Sequence, residues 1–192
     1  GHDTASAVVA VPATDPHFAF ISCGTWSVVG AELAAPMTTP EAFAAGYTNE
    51  LGVDGTVRFN RNLAGLWLLQ ECQRVWAERG QDADLTRLLA AAAVAPGLVS
   101  VVDAGSEVFL APGDMPARIA AECRRTGQPE PADPGALVRC VLDSLALSHA
   151  LAAVVAEDEA RDVDLRHRDR HRALPLRCDQ IAARDVFAQV LP

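Results

Sequence analysis

Gly24 and Thr25 sit in the stretch SCGTWS, flanked by runs rich in β-branched and aromatic residues. A strand, a tight turn and a second strand would place backbone N–H groups and one hydroxyl at the tip. Such a nest can hold a phosphate, because glycine lets the oxygens come close. An ordinary hairpin turn accounts for the same residues. Upstream, Asp3 lies in GHDTASAVVAVP. A carboxylate there can take a proton from a substrate hydroxyl, as phosphoryl transfer to an alcohol requires. It can equally cap the small-residue helix behind it, which is worth about 1 kcal/mol. In FNRNLAGLWLLQE, Asn62 at a helix start and Gln70 on the polar side can both hydrogen-bond a ligand. A cap and a solvated glutamine explain them as well.

Other chemistries find less support. His167 and His171 are four apart in HRDRH, a spacing that suits two metal ligands on a helix. Arg166, Arg168, Arg170 and Arg172 surround them and would repel a cation, so no metal site is expected and an Arg-rich loop is the simpler reading. A His–Asp phosphohydrolase needs further His and Asp ligands, and His17 and His149 sit in unsuitable surroundings. No GxSxG elbow is present, which removes the serine-hydrolase reading. There is no lysine, so a Schiff base and a phosphate-binding lysine are excluded too.

These residues must be placed by a core, and 192 residues, half of them hydrophobic, suffice for one domain and a fragment of a second. Aromatics are only 5%, so that core is mostly Ala, Val and Leu. A net charge of −9 argues against nucleic acid as the main partner. No apolar run is read as approaching the roughly 20 residues of a membrane helix; LLAAAAVAPGLVSVV is broken at Pro96 and Gly97. No targeting sequence is read at the start. Five scattered cysteines without a CxxC spacing fit reduced thiols in the cytoplasm.

The pattern predicts these elements. DTASAVVAVPA is a short helix stopped by Pro12. FAFISCGTWSVVGAEL is two strands turning at Gly24-Thr25. Asp54-Gly55 joins NELGV and TVRFN as a hairpin. A helix capped by Asn62 and ended by Gly80 carries Gly65, Leu68, Leu69, Cys72, Val75 and Trp76 on one face. DLTRLLAAAAVAPG and MPARIAAECRRTGQ are helices, the first stopped by Pro96 and the second followed by Gly127. Between them GLVSVVDAGSEVFLAPGDM is a loop or a short strand pair. Asp133 caps a last long helix, with Leu137, Val141 and Leu145 on one stripe. After it, the apolar period is lost among arginines and histidines.

GHDTASAVVAVP, FISCGTWSVVGAEL and YTNELGVDGTVRFNRNLAGLWLLQECQRVW stand in a collinear order that resembles the FGGY carbohydrate kinases across about residues 1–150. The branch it resembles most phosphorylates L-rhamnulose. The resemblance implies an α/β, actin-like (ribonuclease-H-type) ATPase fold, here an incomplete C-terminal kinase domain. It implies ATP and Mg²⁺ as cofactors, L-rhamnulose as the small-molecule partner, and neither nucleic acid nor membrane. Asp3 would be the proton acceptor, with His2, Thr4 and Asn62 contacting sugar. Gly24, Thr25 and Gln70 would contact ATP. Residues 1–16 would be the end of the N-terminal sugar-kinase domain, 17–160 part of the C-terminal domain, and 161–192 a divergent tail.

Two parts of the family's pattern are not found: the rest of the N-terminal domain and the glycine-rich segment that contacts adenosine. A frameshift after about Asp164 would explain the tail; translating the other two frames tests it. The chain alone is therefore expected not to turn over sugar. A non-catalytic actin-like module, a degraded kinase fragment and a kinase for another ketose stay open. Cys123 and Cys140 lie on consecutive helices and could come close, and a similarly spaced pair occurs in some of the resembling kinases. Two reduced thiols remain the default.

Overall fold

The computed structural model describes residues 3–13 and 18–168, the side chains at 3 and 158–168 excepted. The elements are α1 (Asp3–Val9), β1 (Ala19–Cys23), β2 (Trp26–Leu33), α2 (Pro40–Ala44), β3 (Thr48–Leu51), β4 (Val57–Ala64), α3 (Trp67–Glu78), α4 (Leu85–Val94), α5 (Met115–Arg125) and α6 (Pro134–Arg168). The chain forms two compact units. The first takes residues up to Cys23, Ser27–Leu63 and the chain from His149. The second takes Gly24–Trp26 and Ala64–Ser148.

The first unit is built on one sheet in the order β1-β2-β4-β3. β1 and β2 pair antiparallel, with Cys23 opposite Ser27, and β3 pairs antiparallel with β4, with Leu51 opposite Val57. The expected hairpin at Asp54-Gly55 is present. Asp54 has φ 54° and Gly55 φ 83°, and the Thr56 N–H donates to the Val53 carbonyl at 3.1 Å. Positive φ at both central residues is the turn whose twist suits paired strands. Alternation along β2 buries Val29, Ala31 and Leu33. Val29 packs with Leu63, Ala152 and Ala153, while Ala31 and Leu33 join Tyr47, Phe59 and Ala156. Tyr47 stacks on Phe59 with ring centroids 4.5 Å apart, and its hydroxyl donates to the Ala152 carbonyl at 2.6 Å.

The second unit is helical. α3 buries Leu68, Leu69, Cys72, Val75 and Trp76. Four of these share a core with Phe109, Met115, Ile119, Val138 and Val141. Helix ends follow the expected chemistry. Asp84, Asp114 and Asp133 accept from Arg87, Ala117 and Ala136 N–H groups at 2.9, 3.2 and 2.9 Å. Gly80 and Gly127 take positive φ, 66° and 72°, just past α3 and α5.

Of the two readings offered for the segment before α5, the loop is the one found, with a 3₁₀ turn at Glu107–Phe109. Three expectations are corrected. β4 continues to Ala64, so Asn62 lies on a strand and caps nothing. Gly65 precedes α3 and is not on its buried stripe. Finally, Pro134–Glu157 is long and apolar enough to cross a membrane by length and composition, with mean hydropathy 1.6 and 56% of it buried. Its many small residues raise the hydropathy, and the apolar stripe is spent on cores: Leu137, Val138, Val141 and Leu145 in the second unit, Ala152, Ala153 and Ala156 in the first.

Candidate functional site

The tip of the β1–β2 hairpin belongs to the second unit, and so does the start of α3. The two are joined by main-chain bonds. The Leu66 N–H donates to the Gly24 carbonyl at 2.8 Å, and the Trp67 N–H donates to the Thr25 carbonyl at 3.1 Å. These bonds replace a side-chain cap, since Leu66 at the N-cap supplies none. A trans peptide holds its C=O and N–H on opposite sides. With the Gly24 and Thr25 carbonyls aimed at α3, the Thr25 and Trp26 N–H groups point the other way. The Thr25 side chain is exposed.

Gln70 lies one helical turn on, and its N–H donates to the Leu66 carbonyl at 2.9 Å. Its side chain is exposed, and side chains in a helix lean toward the N-terminus. Gly24, Thr25 and Gln70 are thus held in one unit by two backbone bonds and one turn of helix.

Two groups that sequence reasoning missed lock that helix. The indole N–H of Trp67 donates to the Phe109 carbonyl at 3.0 Å. Glu71 is buried on α3 and accepts from Arg74 through two bonds, at 3.0 and 2.9 Å, and from the Gly113 N–H at 3.2 Å. The Arg74 guanidinium holds the Glu71 carboxyl below the usual carboxylate range, against the opposing effect of burial. The available signal was an acidic residue followed by arginine three positions later on an otherwise apolar stripe.

The remaining candidates lie elsewhere. Asp3 is the first residue of α1, with Thr4 next to it, and α1 packs against β1 in the first unit. Asn62 is exposed on β4, also in the first unit. His2 and His171 fall outside the described residues. The residues matched to sugar contacts that are described therefore belong to the first unit, and those matched to nucleotide contacts belong to the second. No group of three or more His, Cys, Asp or Glu that could hold a metal gathers among the described residues. A magnesium ion bound mainly by substrate phosphates and water needs no such cage.

Residues 19–175 match the C-terminal domain of the FGGY family of carbohydrate kinases. The chain belongs to the FGGY family. Its fold is accordingly the actin-like ATPase fold of the FGGY C-terminal domain. A rhamnulokinase of Bacteroides thetaiotaomicron is 44% identical over 149 residues, covering 78% of this chain and 30% of that enzyme. The chain thus spans about 30% of the length of the relative it matches. The FGGY match takes in Gly24, Thr25, Asn62 and Gln70 and extends past Asp164 to residue 175.

Among the described residues the cysteines, Cys23, Cys72, Cys123 and Cys140, are free thiols. Cys123 and Cys140 do come together: both are buried in the same apolar core of the second unit, and each thiol influences the other's titration. Burial, reinforced by Cys123, pushes the Cys140 thiol up to about 12.

Proposed function

We propose that this chain is part of a rhamnulokinase, transferring the γ-phosphoryl of ATP to the 1-hydroxyl of L-rhamnulose in cytoplasmic rhamnose catabolism. The observation that carries the reading is the Gly24–Thr25 turn bonded to α3, in a chain 44% identical over 149 residues to a rhamnulokinase. The turn's N–H groups and the Thr25 hydroxyl would hold phosphate oxygens, and Gln70 would contact the nucleotide. Asp3 would accept the sugar hydroxyl proton as that oxygen bonds to the γ-phosphorus and the bond to ADP breaks. His2, Thr4 and Asn62 would orient the sugar. Mg²⁺ bound to the phosphates would neutralise charge developing on the transferred group. Positioning and electrostatics supply most of the acceleration in this chemistry.

The limited coverage of the relative's length, 30%, supports a second statement: the isolated chain does not turn over sugar. Both are tested by grafting residues 3–168 into the Bacteroides rhamnulokinase in place of their counterpart. The account expects rhamnulose-dependent ADP release from the graft and none from the chain alone. Asp3→Asn in the graft should lower kcat by about 10²–10⁴-fold. A folded graft that phosphorylates only another ketose, or that ignores Asp3→Asn, would overturn the reading.

A further inference from the structure

The geometry points to Gly65 as a positioning residue: its missing side chain lets α3 lie directly on the Gly24–Thr25 turn, so that Thr25 and Gln70 act as one rigid piece. This rests on the proposed reading of Gly24, Thr25 and Gln70 as nucleotide contacts. A Cβ on residue 65 would stand 2.3 Å from the Gly24 carbonyl oxygen, 2.8 Å from that of Thr25 and 2.9 Å from the Trp26 carbonyl carbon. All three are backbone atoms, so no side chain can swing aside.

The requirement is one of space alone. Gly65 is not among the glycines of positive φ, so an alanine there meets no conformational penalty of its own. Gly24, in the turn itself, is less constrained: a Cβ there would meet only the Trp26 carbonyl oxygen, at 3.2 Å. The tight contact therefore belongs to the residue outside the turn.

The two bonds on either side of the contact make it consequential. Leu66 and Trp67 donate to the Gly24 and Thr25 carbonyls at 2.8 and 3.1 Å, and no side-chain cap stands in reserve. To admit a methyl group, turn and helix must separate by roughly 0.7 Å, to the 3.0 Å below which Cβ atoms are essentially never found. Trp67 and Leu68 resist that from behind, through the Phe109 carbonyl and the core. The displacement falls on the turn and carries both bonds, at 2.8 and 3.1 Å, beyond the normal range of about 2.7–3.2 Å. A shift of about 1 Å in a substrate-positioning group can cost roughly 10²-fold. Gly65 touches no substrate; it acts through Thr25.

The test is amide NMR of the 192-residue chain titrated with ATP and Mg²⁺, unmodified and as Gly65→Ala. The unmodified chain should respond at Gly24, Thr25 and Gln70. Gly65→Ala should keep the shifts of core amides such as Ile119 and Val141. It should raise the Kd for ATP by roughly 10- to 100-fold and lose the Thr25 response. Undiminished ATP binding by a folded Gly65→Ala overturns the positioning role and leaves the nucleotide reading standing. No ATP response from the unmodified chain overturns the nucleotide reading itself. If Gly65→Ala does not fold, hydrogen exchange in the unmodified chain decides. Leu66 and Trp67 amides protected like the α3 core, and further slowed by ATP, support the role. Loop-like exchange, or no change with ATP, refutes it.

Discussion

The Leu66 N–H donates to the Gly24 carbonyl at 2.8 Å, and through that bond a hairpin tip caps a helix far along the chain. The first N–H groups of a helix need partners, and here the partners are the carbonyls of the turn proposed to hold phosphate. One arrangement completes the helix and aims the turn's own N–H groups away from it.

Glu71 holds the helix from the other side. Replacing it with Gln removes a charge-assisted pair with Arg74 and should cost about 1.5–3 kcal/mol in urea unfolding. Its folded pKa is depressed, chiefly by the Arg74 hydrogen bonds. The stabilisation is therefore present above the ordinary carboxylate pKa and is lost as pH falls through the folded value. Below that range, unmodified chain and Glu71→Gln should converge; a constant gap at every pH would contradict this.

The buried thiols work in the opposite direction. Burial pushes Cys72 and Cys140 up to about 12 from the ordinary thiol value of 9.0. The folded chain keeps both protons where the unfolded chain has lost them. Stability is whole below pH 9.0 and declines as pH rises from there toward about 12. Alkylation of these two cysteines at neutral pH should require unfolding. Rapid labelling of Cys140 in the folded chain would refute the assignment.

In the first unit, Tyr47→Phe removes the hydroxyl that donates to the Ala152 carbonyl at 2.6 Å while keeping the stack on Phe59. The expected loss is about 1 kcal/mol, against about 3–5 kcal/mol for Phe59→Ala, which empties the core. Equal losses in thermal or urea unfolding would mean the ring stack contributes nothing beyond the hydroxyl.

Local chemistry made much of this legible. The strands about Gly24-Thr25, the Asp54-Gly55 hairpin and the cap at Asp133 each follow from a few neighbouring residues. Asn62 misled because an asparagine before an apolar run reads as a cap. The strand continues through buried Leu63 and Ala64, and the true capping groups, Gly24 and Thr25, are some forty residues upstream. Gly65 fitted a helical stripe by spacing, yet its role is a close approach that only tertiary structure creates. The apolar length of α6 was understated because alanines fill the gaps between its leucines and valines. The roles proposed for Asp3, Thr25, Asn62 and Gln70 rest on collinear resemblance, since each residue taken alone has an ordinary structural explanation.

The division of roles between Gln70 and Asn62 is tested most directly by Michaelis constants in the rhamnulokinase graft. Gln70→Ala should raise the KM for ATP by roughly tenfold, the loss of one hydrogen bond to a charged ligand, and leave the KM for L-rhamnulose unchanged. Asn62→Ala should do the reverse. If both variants move the same constant, or if neither moves any, the assignment of nucleotide contacts to the Gly24–α3 block and sugar contacts to β4 is contradicted.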